Sequence, residues 1–235
     1  MIKKIFGTPS SYKERIQIFE KIDVLIALGV ICGYFFAMTI CGMSVKHVSY
    51  SQITFVESLV NICFSGMVLV LVKKRGYGLD SVGLKEGNIK LSLIMGIILA
   101  SIFFFCNCLI NIWFEGSEFV STKAIIMYLF YFFTVSLSEE LMFRGFLETR
   151  LHALTRHIWM DVIITGILFA FIHFPFRMCA YNLSFIEFIT DIPYILNLFI
   201  THLILSYIRI KSDSLYGAII PHWVSDFAYA IVTHI

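Results

Sequence analysis

The chain contains apolar runs long enough to cross a lipid bilayer, and this feature limits its fold more than any other. A membrane-spanning helix needs about 20 consecutive, largely apolar residues. Seven runs meet or approach that length, near residues 24–43, 54–72, 91–113, 124–147, 159–176, 192–210 and 214–234. They predict seven spanning helices, which we number spans 1 to 7 in chain order.

Composition supports the same conclusion. The chain is 59% hydrophobic and 14% charged, whereas soluble domains are about 45–50% apolar and about a quarter charged. Much of this apolar surface must therefore face lipid. The formal net charge of +2 gives no indication of a nucleic-acid partner. The sequence thus predicts an all-α, polytopic membrane protein of about seven transmembrane helices, with the lipid bilayer as its main partner.

The positive charges are distributed unevenly between the two ends of the predicted spans. If the N-terminus is cytoplasmic, fifteen of the eighteen Lys and Arg residues fall on the cytoplasmic side. The three exceptions are Lys46, Lys123 and Arg177. Because cytoplasmic loops of membrane proteins are enriched in Lys and Arg, we expect a multi-pass protein of the cell membrane with its N-terminus inside.

Single-cysteine labelling tests this orientation. After the native thiols are removed, a cysteine at position 180 should react with an impermeant reagent in intact cells, and one at position 80 should not. Strong labelling at position 80 with none at position 180 would show that the orientation is inverted.

Ionisable side chains inside the predicted spans indicate a function. A charge at the centre of a spanning helix costs at least about 2.5–3.5 kcal/mol, so such residues usually mark a functional site. Pairs spaced four apart share a helix face. The second half of the chain contains three such pairs, Glu140 with Arg144 in span 4, Phe169 with His173 in span 5, and His222 with Asp226 in span 7.

Glu139 and Glu140 are neighbours in span 4 and point in different directions. Glu140 and Arg144 form a favourable pair with the acid on the N-terminal side, which leaves Glu139 free for another partner. Glu139 lies 17 residues before Arg156, and His173 lies 17 residues after it. Each is therefore about 25 Å along its helix from the turn between spans 4 and 5. We expect these two side chains to lie at a similar depth.

Other polar residues of the spans have simpler interpretations. A single buried histidine is more often a packing residue, and we interpret His202 in this way. His152 lies in the basic turn after span 4, where we expect it to be solvated. Glu57 lies near the start of span 2 and is expected to extend to the membrane interface.

The polar residues of spans 4, 5 and 7 match a known pattern. The order Glu-Glu-x-x-x-Arg, Phe-x-x-x-His and His-x-x-x-Asp, with the phrases EELMFRGFLETRL and SLYGAIIPHWVSDF, resembles the CPBP intramembrane proteases. This family includes the eukaryotic CAAX prenyl endopeptidases and bacterial proteins of bacteriocin processing and self-immunity. The resemblance covers roughly residues 123–234. We divide the chain into an N-terminal membrane region, 1–122, with three generic spans, and a protease-like core, 123–235.

The resemblance implies a role for each matching residue. It makes Glu139 the base that activates a water molecule, with the help of His173. It assigns His222 and Asp226 to stabilisation of the oxyanion, and it gives Arg144 a supporting role through Glu140, beside Phe169. The substrate is then a membrane-associated peptide or protein, and the active site is formed by spans 4, 5 and 7. Many members have Asn where this chain has Asp226, and an ionised Asp can only accept a hydrogen bond.

Two alternatives remain open from the sequence. Glu139, His173 and His222 also suit a zinc site and hence a metalloprotease, although H-E-x-x-H is absent. The resemblance implies a metal-free glutamic mechanism, and we expect no cofactor. A non-catalytic immunity or scaffold protein that binds a peptide in the same cavity is the second alternative. A transporter has less support, because no inverted repeat is visible.

Overall fold

The structure is a computed structural model that describes residues 7–85 and 87–233. Helices account for 82% of it, and no β-strand occurs in these described ranges. The predicted all-α, polytopic fold is confirmed. One isolated antiparallel bridge joins Phe119 to Val232, close to the C-terminal end of the described chain.

Within the described ranges, nine helical elements make up the bundle. We label them α1 (Ser10–Ile16), α2 (Lys21–Ser44), α3 (Tyr50–Lys74), α4 (Ile89–Glu115), α5 (Thr122–Thr155), α6 (Ile158–Tyr181), α7 (Phe185–Thr190), α8 (Ile192–Ser212) and α9 (Tyr216–Ala230). A short 3₁₀ helix, Leu79–Val82, lies in the connection between α3 and α4.

Six of these helices are long and apolar enough to cross a membrane, whereas the sequence predicted seven spans. The six are α2, α3, α4, α5, α6 and α8. The predicted seventh span corresponds to α9, which has 15 residues. At 1.5 Å per residue it is roughly 22 Å long, short of the ~30 Å hydrocarbon core. The count of seven is therefore not confirmed, although α9 is part of the bundle.

The C-terminal part of α5 is the centre of the protein. Residues 138–153 are all buried, including charged side chains that would be costly next to lipid. A helix that is buried on every side must lie inside a bundle. Within this stretch, Glu140–Leu147 forms a π-helical segment. Such wide turns are uncommon and often occur at functional sites.

Ion pairs join distant segments at one end of the bundle. Arg15 of α1 contacts Asp80 at 2.7 Å and Asp213 at 3.0 Å. Arg209, near the end of α8, contacts Asp213 at 3.1 Å. These ion pairs place three segments at the same end of the bundle: the N-terminal segment, the α3–α4 connection and the α8–α9 turn. The distribution of Lys and Arg in the sequence had assigned all three to one side of the membrane. Which side of the membrane this end faces stays a prediction.

Close helix packing fixes the position of α9. The Cα of Gly217 lies 2.9 Å from where a Cβ on Gly96 of α4 would be. A Cβ on Gly217 would in turn meet the carbonyl oxygen of Ser92 at 2.4 Å. Small residues permit such close approach between helices in membranes. The Oγ of Ser92 also accepts a hydrogen bond from the Gly217 amide at 2.8 Å. These contacts hold the helix that carries His222.

Two expectations about polar residues are wrong. His152 is buried, and its Nδ1 lies 2.9 Å from a carboxylate oxygen of Asp161 on the next helix. Glu57 does not extend to an interface, because its side chain is buried and bonded to Tyr131 of α5. In both cases the polar group contacts a side chain on another helix and not solvent. The sequence did not indicate either partner.

Candidate active site

A cavity of about 830 Å³ opens among the helices and is the setting of the candidate site. Glu139, His173 and Asp226 all line it. These residues come from α5, α6 and α9, which correspond to the predicted spans 4, 5 and 7. The N-terminal helices also contribute to its wall, with Tyr34 and Met38 of α2, Glu57 and Asn61 of α3, and Asn107 of α4. The division into an N-terminal region and a core stays a prediction.

The carboxylate of Glu140 contacts two basic side chains, those of Arg144 and His222. Its Oε1 accepts a hydrogen bond from Nη1 of Arg144 on the same helix, and the guanidinium and carboxylate are both fully buried. The same oxygen lies 2.7 Å from Nδ1 of His222 on α9. Because an ionised carboxylate can only accept, Nδ1 of His222 carries the proton and donates it. Glu140 therefore orients the imidazole ring.

The other ring nitrogen of His222 faces two further carboxylates. Its Nε2 lies 3.7 Å from Oε2 of Glu139 and 3.5 Å from Oδ2 of Asp226. Three acids thus surround one imidazole, and a positively charged ring is favoured in such surroundings. Asp226 is the most accessible of them, with 35% of its side chain exposed. Its carboxylate lies at the cavity wall, one helical turn after His222.

Aromatic packing holds the two histidines of the cavity in place. Phe169 is buried, with its ring centre 5.1 Å from that of His173 and 6.0 Å from that of His222. The guanidinium carbon of Arg144 lies 5.2 Å from the same ring centre, within cation–π range. The carbonyl oxygen of Phe169 accepts a hydrogen bond from Nδ1 of His173 at 2.9 Å.

A second layer of polar residues lies behind Phe169, and sequence reasoning missed it. Glu148 of α5 accepts a hydrogen bond from Oγ of Ser206 at 2.7 Å. Nε2 of His202 lies 3.4 Å from the same carboxylate oxygen, and its ring centre is 5.5 Å from that of Phe169. All three side chains are buried. The packing interpretation of His202 is therefore incomplete. The sequence did contain a signal for this layer. Glu148 follows Arg144 by four residues and Ser206 follows His202 by four, so each pair shares a helix face.

The zinc alternative depends on how the acid and histidine side chains are grouped in the structure. Among residues 7–85 and 87–233, no group of three or more His, Cys, Asp or Glu side chains has an arrangement that could hold a metal ion. For the zinc alternative, Nδ1 of His222 is already bonded to Glu140, and Nε2 is the nitrogen nearer to Glu139. Metal dependence stays a question for experiment.

The fold and this site define a class, that of polytopic helical membrane proteins with a buried carboxylate–histidine centre inside the bundle. The family model described as "Rce1-like: Type II CAAX prenyl endopeptidase Rce1-like" matches residues 121–228. The match confirms the resemblance predicted from the three motifs, and over this segment the chain is similar to the CPBP family. No curated protein and no solved structure matches the chain.

Glu140→Gln should destabilise the protein, because neutralising one partner of a buried ion pair leaves the charge of Arg144 uncompensated. Loss of such a partner costs about 3–5 kcal/mol. The measurement is thermal unfolding of the purified protein in one fixed detergent. Glu115→Gln, at the exposed end of α4, is the matched control and should melt like the parent. Equal melting temperatures for both variants would contradict the role given to Glu140.

Proposed function

We propose that this chain is an intramembrane endopeptidase in which Glu139 activates a water molecule to hydrolyse a peptide bond. The Rce1-like family is one of endopeptidases, and the chain has the apolar helices of a membrane protein. The substrate is a membrane-associated peptide or protein that enters the cavity. The residues that match the family's motifs carry the chemistry, and each has a geometric basis.

The observation that supports this proposal best is the state of the Glu139 carboxylate. Its Oε2 is buried and has no hydrogen-bond partner among the described residues, although Glu139 lines an open cavity. Glu140, its sequence neighbour, is instead engaged by both Arg144 and His222. A carboxylate that accepts from a water molecule and takes its proton is a general base. Glu139 is the carboxylate of the pair that is available for this task.

His222 is suited to bind the negative charge that develops on the scissile carbonyl oxygen. Nδ1 donates to Glu140, so Nε2 carries a hydrogen only when the ring is protonated. The carboxylates of Asp226 and Glu139, at 3.5 and 3.7 Å, stabilise that protonated form. A donor fixed in this way needs little rearrangement in the transition state, which is the usual source of electrostatic catalysis. His173, held by the Phe169 carbonyl, would help to position the water.

Glu139→Gln should abolish cleavage and leave the fold intact, because Gln has nearly the same shape but cannot take a proton. The assay uses a quenched fluorogenic peptide that ends in a prenylated CAAX sequence, beside the same peptide without the prenyl group. Loss of a general base lowers the rate by about 10²–10⁴-fold. Glu115→Gln serves as the control and should cleave at the parental rate.

Two results would contradict this proposal. Cleavage at the parental rate by Glu139→Gln would remove Glu139 from the chemistry. Loss of cleavage in phenanthroline, restored by stoichiometric zinc, would replace the glutamic mechanism with a metal-dependent one. If the protein instead binds peptides without hydrolysis, neither the parent nor Glu139→Gln would cleave, and a non-catalytic immunity or scaffold role would follow.

Asp226→Asn tests how His222 becomes a donor. If Asp226 keeps the imidazole protonated, Asn removes a negative charge at 3.5 Å. The ring would then lose its proton more readily, and activity should fall above about pH 6.5, the ordinary titration range of histidine. If Asp226 itself donates as a neutral acid, Asn retains a donor and activity should extend to higher pH. The geometry favours the first outcome.

The measurement is the pH–rate profile of Asp226→Asn beside the parent and Ser225→Ala. Ser225 precedes Asp226 on α9, and its Oγ accepts from Asn107 at 3.1 Å. Ser225→Ala removes this hydrogen bond without a change of charge, so the pH–rate profile of the variant should keep the parental shape. Complete loss of activity at every pH in Asp226→Asn would refute both roles.

A further inference from the structure

A second buried carboxylate lines the cavity, and the proposed mechanism does not use it. Glu57 lies on α3, outside the segment matched by the family model, and only 2% of its surface is exposed. Its Oε2 accepts a hydrogen bond from the hydroxyl of Tyr131. Its Oε1 is buried with no hydrogen-bond partner in the described part of the chain. Buried polar oxygens are nearly always satisfied, so this one needs an explanation.

Among the residues that the structure describes, no cationic side chain contacts the carboxyl group of Glu57. Every other carboxylate buried as deeply around the site has a cationic or histidine neighbour, as Glu140 has Arg144 and Glu148 has His202. For Glu57, the only partner within the described ranges is the neutral hydroxyl of Tyr131. Burial of an unpaired charge is costly. A ligand that brings a positive charge would remove this cost.

The cavity as a whole is suited to a cation. Its lining carries three carboxylates, those of Glu57, Glu139 and Asp226. His222 opposes the last two, which leaves Glu57 without a cationic neighbour among the described residues. Among the described lining residues the one arginine is Arg177, whose guanidinium lies 3.6 Å from Asp191 and 4.0 Å from the Tyr194 ring centre. The excess of negative charge in a low-dielectric cleft attracts cations.

Aromatic residues beside Glu57 add to this attraction. Tyr34, Tyr131 and Phe132 line the same cavity, and aromatic faces bind ammonium and guanidinium groups. Tyr34 is also held in place, since its hydroxyl donates to Oδ1 of Asn61 at 2.8 Å. It lies within electrostatic range of both Glu57 and Glu139. Glu57 and Glu139 line the same cavity, so a peptide that extends across it can contact both.

We propose that Glu57, with Tyr131, forms an acidic subsite that binds the side chain of a lysine or arginine in the peptide substrate. The inference rests on the proposed function and deepens it by naming a chemical feature of the substrate. A charged donor on the free Oε1 makes a charge-assisted hydrogen bond, which is stronger than one from a neutral group. In this proposal the subsite selects substrates, and bond cleavage is assigned to Glu139 and His222.

Peptide binding to the full-length Glu139→Gln protein in lipid nanodiscs tests this inference without hydrolysis. The probes are fluorescent ten-residue apolar peptides with one lysine moved through the sequence, each paired with the same peptide carrying Nε-acetyl-lysine. At one or more positions, the lysine form should bind about tenfold more tightly or better, as expected of a hydrogen bond to a charged group. The acetyl form keeps the side-chain stem and loses the charge.

The same preference is then measured after Glu57→Gln is added. The lysine preference should disappear, while the acetyl-lysine peptides keep their affinity and so report an intact cavity. Glu57→Asp should retain part of the preference, and Glu115→Gln should retain all of it. Equal binding of both forms, a lysine preference that survives Glu57→Gln, or no binding of any peptide would overturn the inference.

Cleavage by the parent separates this inference from the proposed function. If the lysine and acetyl-lysine peptides are cleaved equally fast, the subsite is wrong and the endopeptidase activity stands. If the lysine preference in binding is present and depends on Glu57 but nothing is cleaved, the subsite stands and the proposed hydrolysis fails.

Discussion

The site depends on the contacts that the Glu140 carboxylate makes with Arg144 and His222. One oxygen accepts hydrogen bonds from Arg144 on its own helix and from His222 on α9, and the side chains of Glu140 and Arg144 are fully buried. A protein is strongly destabilised when one member of a buried ion pair is lost, because the other charge is left uncompensated. This contact therefore joins α5 to α9 and sets the orientation of His222 at once. Glu139, one residue earlier, lines the cavity, and its Oε2 has no hydrogen-bond partner among the described residues.

Rigid packing around this ion pair keeps the reactive groups in register. Phe169 lies between Arg144 and the rings of His173, His202 and His222, and the buried Glu148–Ser206 hydrogen bond lies behind it. Residues 140–147, which form the π-helical segment, are all buried. Fixed supporting residues of this kind are what keep catalytic groups within small tolerances.

The two halves of the chain contribute differently to the cavity. The segment matched by the family model supplies the acid and histidine centre, whereas α2, α3 and α4 supply much of the opposite lining, including Glu57 and Asn61. Three generic apolar spans were all that the sequence of residues 1–122 indicated, yet their few polar residues give the cavity its chemical character.

The sequence alone determined the membrane class and the residues that match the family's motifs, because span length and motif spacing are local properties of the chain. It also indicated the Glu140–Arg144 pair, since four residues bring two side chains onto one helix face. Only the tertiary structure decided which groups meet across helices. It brought His222 to Glu140, buried Glu57 against Tyr131 and His152 against Asp161, and limited α9 to 15 residues. These contacts depend on how helices rotate and cross, and periodicity within one helix does not carry that information.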